Sequence, residues 1–171
     1  MKHTIGKVMN ILSTVLVVLL ALVLVAVIGF RIFGLQGYKV LSGSMEPEYP
    51  TGSVIYVKEV DTKELKEGDV ITFYLAGKTE ATHRIHEVVE ENGTRMFRTK
   101  GDANEQPDAG LVNPDDVIGS PVFTVPYMGY ALTYMQTTRG MYVAIAVGAA
   151  VLLLILLPPL LLDKGEKKKE K

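Results

Sequence analysis

THRIHEVVEENGTRMFRTKG, residues 82–101, is the stretch that most strongly predicts the fold of this chain. At its centre stands Asn92-Gly93, the dipeptide that best supports a two-residue turn between antiparallel strands. This turn sets the register of the two strands. In that register, most directly opposed positions pair two apolar residues, or an acidic residue with a basic one, and such pairs stabilise a hairpin. The same register places His83 opposite Asp102, close enough for a carboxylate to orient an imidazole ring. We therefore predict a β-hairpin that carries this pair.

The sequence on both sides of the hairpin also predicts strands. Three further runs are rich in β-branched and aromatic residues and are bounded by turn residues. They are SVIYVKEV at 53–60, GDVITFYL at 68–75 and VIGSPVFTV at 117–125. Together with the hairpin, these runs predict a mainly β domain within residues 31–140.

Two long apolar stretches enclose this domain, at 8–30 and 141–162. Each has more than 20 residues and no charged side chain. A helix of ~20 residues crosses the ~30 Å hydrocarbon layer of a bilayer. We therefore predict two transmembrane helices that anchor the β domain. This excludes a freely soluble protein and a carrier with many spans.

The two tails, 1–7 and 163–171, are short and rich in lysine. Because positive flanks favour the cytoplasmic side of a membrane, we expect both termini in the cytoplasm and residues 31–140 outside it. The tripeptide Asn92-Gly93-Thr94 is a glycosylation sequon at the predicted hairpin tip, and the sequence leaves its use open.

Composition excludes several kinds of chemistry. The chain has no cysteine, so it has no disulfide, thiol nucleophile or cysteine metal ligand. Its three histidines leave little room for a histidine metal site, and we expect no metal or cofactor. Residues 31–140 hold 11 basic and 16 acidic residues, a balance that argues against nucleic-acid binding.

The sequence LSGSMEP, residues 41–47, holds the candidate nucleophile. Ser42 and Ser44 flank Gly43, and a flexible turn of this kind lets backbone N–H groups point at a developing negative charge. Ser-Gly-Ser is also a common loop composition, so the motif alone is a weak indication of catalysis.

The hairpin histidines differ in the face of the strand that they occupy. Alternation places His83 with Ala81 and Ile85 on the drier face, and His86 on the polar face, so the pair does not form a metal site. His83 is therefore the candidate general base, because imidazole accepts a proton near neutral pH. The alternative is a half-buried structural histidine bonded to Asp102.

The motifs, taken in order, resemble the type I signal peptidases. The resemblance runs from Tyr38 to Tyr130 and thus covers nearly the whole β domain. The matching pieces are LSGSMEP, SVIYV, GDVITF, THRI, TKGDANEQPD and VPYMGY. The combination is specific, although no single piece would be. The resemblance implies the signal-peptidase β fold for residues 31–140.

The resemblance also implies roles for particular residues. Ser44 corresponds to the nucleophile and Ser42 to a supporting position at the oxyanion site. The histidine at position 83 resembles the archaeal and endoplasmic-reticulum branch of the family, since bacterial members carry lysine at the corresponding position. Two aspartates six residues apart follow the T-K-G motif in that branch, and Asp102 and Asp108 match them. The family pattern favours Asp108 as the partner of the histidine, whereas the hairpin register favours Asp102. We retain both.

The function that the resemblance implies is removal of N-terminal signal peptides by a membrane-bound serine endopeptidase. Its partners would be precursors with small residues at positions −1 and −3, the lipid bilayer, and accessory membrane subunits or translocation machinery. Its place would be the cell membrane or the endoplasmic-reticulum membrane. Two alternatives stay open: a related peptidase for a narrow client set such as pilin-like precursors, and an inactive binding or assembly protein of the same fold.

Overall fold

The computed structural model describes residues 2–75, 79–91 and 93–166. Asn92, the acceptor of the sequon, and the lysine-rich residues 167–171 lie outside these ranges. The elements, in chain order, are α1 (Lys2–Ile32), β1 (Leu35–Lys39), β2 (Val54–Lys58), β3 (Val70–Tyr74), β4 (Glu80–Glu91), β5 (Thr94–Lys100), β6 (Leu111–Val112), a 3-10 turn (Pro114–Asp116), β7 (Val117–Val125), α2 (Met128–Met135) and α3 (Thr138–Glu166).

The described strands form one antiparallel sheet of seven strands in the order β1-β2-β7-β3-β4-β5-β6. The last strand along the chain, β7, lies between β2 and β3. This insertion joins the two halves of the sheet, because β2 pairs with one edge of β7 and β3 with the other. The mainly β fold expected from the sequence is confirmed.

The five strands expected from the sequence correspond to β2, β3, β4, β5 and β7. Strands β1 and β6 were not expected from the sequence. Strand β1 reads LQGYK, with an internal glycine and no regular alternation of buried and exposed positions. Strand β6 has two residues. Such elements have too little periodicity of their own to be identified, and both are edge strands whose pairing is set by the neighbouring strand.

The hydrophobic core lies on one face of the sheet around β3, β4 and β5. Its most buried members come from alternate positions of these strands: Ile71, Phe73, Ile85 and Phe97, each at most 2% exposed. Leu65 and Val112 close the cluster from the loop after β2 and from β6. Full burial of an aliphatic or aromatic side chain contributes about 1.5–3 kcal/mol each, so this face holds the hairpin in place.

The β4–β5 hairpin follows the expected register only near its tip. From Glu91 to Glu87 the pairs are those expected from the sequence, as in Glu87 with Arg98. At His86 the register shifts, and Ile85 then pairs with Thr99. An extra residue on one strand is a β-bulge, and it moves every later pair by one position. The expected opposition of His83 and Asp102 is therefore wrong.

The two long helices account for the apolar stretches. Segments Lys7–Ile32 and Thr138–Leu156 are long and apolar enough to cross a membrane, by length and composition. The chain divides into two compact units, one of which is Phe30–Leu132 and contains the whole sheet. The second unit holds the remainder of α1 and the segment that begins at Thr133.

Candidate active site

Ser44 lies in a tightly closed loop between β1 and β2. Two backbone bonds of Val40 close the loop: its N–H donates to the Ser53 carbonyl at 3.0 Å, and its carbonyl accepts from the Gly52 N–H at 2.9 Å. Inside the loop Met45 is 2% exposed, so it anchors the turn in the protein interior. Neighbouring Ser44 is half-buried and remains accessible from solvent.

Three side chains from distant parts of the chain form one line of hydrogen bonds. Ser44 Oγ is 3.1 Å from His83 Nε2, and His83 Nδ1 is 2.6 Å from Asp108 Oδ2. The His83 side chain is 15% exposed and that of Asp108 30%. The Phe73 ring meets the imidazole edge-on, with 6.3 Å between centroids. Ser42 Oγ lies 3.3 Å from Ser44 Oγ.

The direction of these bonds follows from the chemistry of the groups. An ionised carboxylate can only accept, so Asp108 requires the ring proton of His83 on Nδ1. Nε2 then has a free lone pair facing the Ser44 hydroxyl. This is the arrangement in which an imidazole can take a proton from a serine.

Asp102 is not part of this line. The Arg84 guanidinium binds both of its carboxylate oxygens, with Nε to Oδ1 at 2.9 Å and Nη2 to Oδ2 at 2.7 Å. The bulge at His86 explains the difference from the expected register, because Arg84 then pairs with Lys100 and Asp102 falls beyond the end of the ladder. In the structure, Asp108 thus binds the imidazole, and Asp102 binds Arg84 instead.

Arg84 connects the segments that carry the three aligned side chains. It follows His83 on β4, binds Asp102 in the loop before Asp108, and bonds Glu48 in the loop that carries Ser44. Its Nη1 also donates to the Gly68 carbonyl at 2.8 Å. The bonds to Asp102, and then those to Glu48, raise the pKa of the guanidinium. Arg84 therefore stays positively charged where it binds these loops.

Two further side chains of the serine loop have shifted pKa values. Glu46 accepts hydrogen bonds from the hydroxyl and the N–H of Thr51, at 2.8 and 3.2 Å, and these bonds lower the pKa of its carboxyl group. Burial, and then the neighbouring Glu48 carboxylate, raise the pKa of Tyr49 to about 12. Tyr49 is thus a neutral phenol under ordinary conditions.

His86 is exposed at the bulge, as expected for the polar face. Two features of the site were missed from the sequence. The first is Arg84, whose position next to His83 gave no sign of its two acidic partners. The second is Thr99, which donates from its hydroxyl to Asp108 Oδ2 at 2.7 Å. The sequence could have indicated Thr99, because it is a polar residue two positions after Phe97, on the buried face of β5.

Gly101 provides the close approach between the loop of Asp108 and the loop of Ser44. The Ala103 N–H donates to the Ser44 carbonyl oxygen at 2.8 Å. A Cβ atom built on Gly101 would lie 2.7 Å from that same oxygen and 2.8 Å from Asn104 Nδ2. Only a residue without a side chain leaves room for this contact.

Gly101→Ala is therefore expected to separate the two loops. We expect the free energy of unfolding to fall by about 1–3 kcal/mol, the usual cost of overpacking. Denaturant unfolding measures the effect. Gly110→Ala is the matched control, because a Cβ at Gly110 meets nothing within 4 Å. Equal behaviour of the two variants would contradict this account of Gly101.

Comparison with known proteins gives a consistent result. The family model described as "Signal peptidase, peptidase S26" matches residues 11–96, a span that includes Ser44 and His83 and ends before Asp108. The chain is 42% identical over 116 residues to "Signal peptidase I W" of Bacillus subtilis, an alignment that covers 63% of this chain and 61% of that protein.

Eukaryotic relatives align over a similar region. The chain is 33% identical over 125 residues to "Signal peptidase complex catalytic subunit SEC11C" of Rattus norvegicus, which covers 67% of this chain and 65% of that protein. The human protein of the same name gives the same identity and coverage. The chain thus spans less than two thirds of the length of these relatives.

Proposed function

Because this chain belongs to the signal peptidase family, peptidase S26, we propose that it is a serine endopeptidase that removes N-terminal signal peptides from precursor proteins. The observation that carries the proposal is the line of hydrogen bonds from Ser44 through His83 to Asp108. The names of its relatives support the same activity, since both the bacterial and the eukaryotic proteins are called signal peptidases.

Acylation begins at Ser44. Its Oγ attacks the carbonyl carbon of the scissile bond while its proton passes to His83 Nε2, so a C–O bond forms and an oxyanion develops. Asp108 stabilises the imidazolium through the Nδ1–H bond. The Ser44 N–H and the Ser42 hydroxyl stabilise the oxyanion, which requires donors fixed before the charge develops. His83 then returns the proton to the departing amine, and the mature protein leaves.

Deacylation repeats these steps with water. His83 removes a proton from a water molecule that attacks the acyl-enzyme, and the ester bond to Ser44 breaks. The signal peptide leaves with a new carboxyl group, which releases its remaining proton to the solvent, and the serine recovers its proton from His83.

The membrane arrangement is part of the proposal. Residues 8–30 and 141–162 would span the bilayer, with the tails 1–7 and 163–171 in the cytoplasm and the catalytic domain 31–140 outside. The lysine-rich tails support this orientation. A signal peptide is itself held in the bilayer, so a catalytic domain joined to two spans would meet the cleavage site near the outer surface.

The test of the function is cleavage of a secretory precursor by the purified full-length chain in detergent. We expect one cut after a small residue at −1, with a second small residue at −3, identified by mass spectrometry of both products. A precursor with a bulky residue at −1 is the control and should stay intact. Cleavage by the purified chain would show that it needs no accessory subunit. No cleavage of any signal-peptide precursor would contradict the proposal.

The orientation has its own test, which the absence of cysteine makes simple. Glu105→Cys, in the loop before β6, should react with a membrane-impermeant maleimide added outside intact cells. Lys168→Cys should react only after the membrane is permeabilised. The reverse pattern would contradict the orientation and the function together, since mature secretory proteins are released on the outer side.

A further inference from the structure

Thr99 is a polar residue in a position that suits an apolar one. It lies on β5, and both Thr99 and Phe97 are 0% exposed. Their side chains share the core face of the strand because residues two apart point the same way. A buried hydroxyl costs free energy unless it is hydrogen-bonded, so a threonine here needs a partner that valine would not.

The partner of Thr99 is Asp108, which it holds at two points. The Thr99 hydroxyl donates to Asp108 Oδ2 at 2.7 Å, and the Thr99 carbonyl accepts from the Asp108 N–H at 2.8 Å. The same Oδ2 atom accepts from His83 Nδ1 at 2.6 Å. One carboxylate oxygen thus receives both the hydroxyl and the imidazole.

We propose that Thr99 is a positioning residue of the active site, a role that rests on the proposed function. Its hydroxyl fixes the rotation of the Asp108 carboxylate, so that Oδ2 faces the imidazole and His83 keeps its proton on Nδ1. Thr99 has no hydrogen bond to Ser44 or His83, and it therefore acts only through Asp108. A hydrogen bond to a charged group is among the stronger ones in proteins, so its loss should change how the Asp108 carboxylate is held.

A second buried threonine supplies the matched control. Thr72 is also 0% exposed, and its hydroxyl bonds that of Thr82 at 2.8 Å. Replacing Thr99 or Thr72 by valine keeps the shape of the side chain and removes one buried hydrogen bond. The two variants should therefore lose similar stability, while only Thr99→Val loosens the carboxylate at the active site.

Cleavage kinetics of the full-length chain measure the effect. We expect Thr99→Val to lower kcat by about 10- to 100-fold, because the hydrogen bond that is lost is made to a charged group, with KM unchanged. Thr99→Ser should restore kcat, because it keeps the donor, and Thr72→Val should retain it. If valine at position 99 prevents folding, Thr99→Ala removes the same hydroxyl. Equal kcat for the two valine variants would overturn the proposal.

A double-mutant cycle shows whether the effect passes through the aspartate. Asp108→Ala removes the group that Thr99 holds, so adding Thr99→Val to it should lower kcat no further. If Thr99→Val lowers kcat by the same factor in the Asp108→Ala variant as in the wild-type chain, Thr99 acts elsewhere and the proposal is overturned.

A spectroscopic test is independent of the substrate. The chain has three histidines, so ¹⁵N-histidine labelling gives few signals, and His83→Ala identifies that of His83. We expect Thr99→Val to move or broaden the His83 Nδ1–H resonance, with Thr72→Val and Thr99→Ser leaving it unchanged. An unmoved resonance in Thr99→Val overturns the positioning role. If the chain cleaves no precursor and the resonance still moves, the proposed function fails and the positioning of Asp108 stands.

Discussion

Replacing Ser44 by alanine is expected to abolish precursor cleavage without unfolding the protein. In triads of this kind, loss of the serine lowers kcat by up to roughly 10⁶-fold, because no other group can form the acyl-enzyme. The fold should survive, since among the described residues the Ser44 hydroxyl is hydrogen-bonded only to Ser42 and His83, and the loop is held by the backbone bond from Ala103. Cleavage rates and melting temperatures of the purified full-length variants measure both effects.

Two other serines serve as controls for this experiment. Ser120 lies on β7, outside the line of hydrogen bonds, so Ser120→Ala should retain full activity. Ser53→Ala removes a buried hydroxyl that donates to the Pro50 carbonyl at 2.6 Å. It should lower the stability by about 1 kcal/mol, the usual worth of one hydrogen bond, and leave the protein active. Substantial cleavage by Ser44→Ala would show that the serine mechanism is wrong.

Replacing His83 by alanine should lower kcat nearly as far as the loss of Ser44. Without the imidazole nothing takes the serine proton, and an un-ionised hydroxyl is a poor nucleophile. Because the two residues act as a unit, the double variant with Ser44→Ala should be no worse than either single variant. Rates measured with one precursor under one set of conditions allow this comparison.

His86→Ala is the control for the histidine experiment. His86 is exposed at the bulge and has no side-chain bond in the part of the chain that the structure describes, so its loss should be nearly silent. If His86→Ala proved as damaging as His83→Ala, the assignment of the two histidines to different faces would fail, and the proposed base with it.

Local sequence patterns were enough to predict most of the strands and the tip of the hairpin. Alternation of side chains along a strand and the turn preference of Asn-Gly are properties of neighbouring residues, so Val88 opposite Phe97 could be predicted without the rest of the chain. The same holds for the two apolar helices, since length and composition alone make them candidate spans. The serine turn and the drier face of a strand also made Ser42, Ser44 and His83 candidates, whereas the choice of Ser44 as the nucleophile came from the family resemblance.

The choice between Asp102 and Asp108 could not be made from local patterns. It depends on the bulge at His86 and on the path of the loop after β5, which returns so that the Asp108 N–H meets the Thr99 carbonyl. The Arg84 guanidinium binds Asp102, whereas Asp108 binds the imidazole. The position of β7 between β2 and β3 could not be predicted from local patterns either. Periodicity describes which face a side chain occupies, whereas bulges, returning loops and strand order depend on contacts between residues far apart in sequence, and these form only when the whole sheet packs.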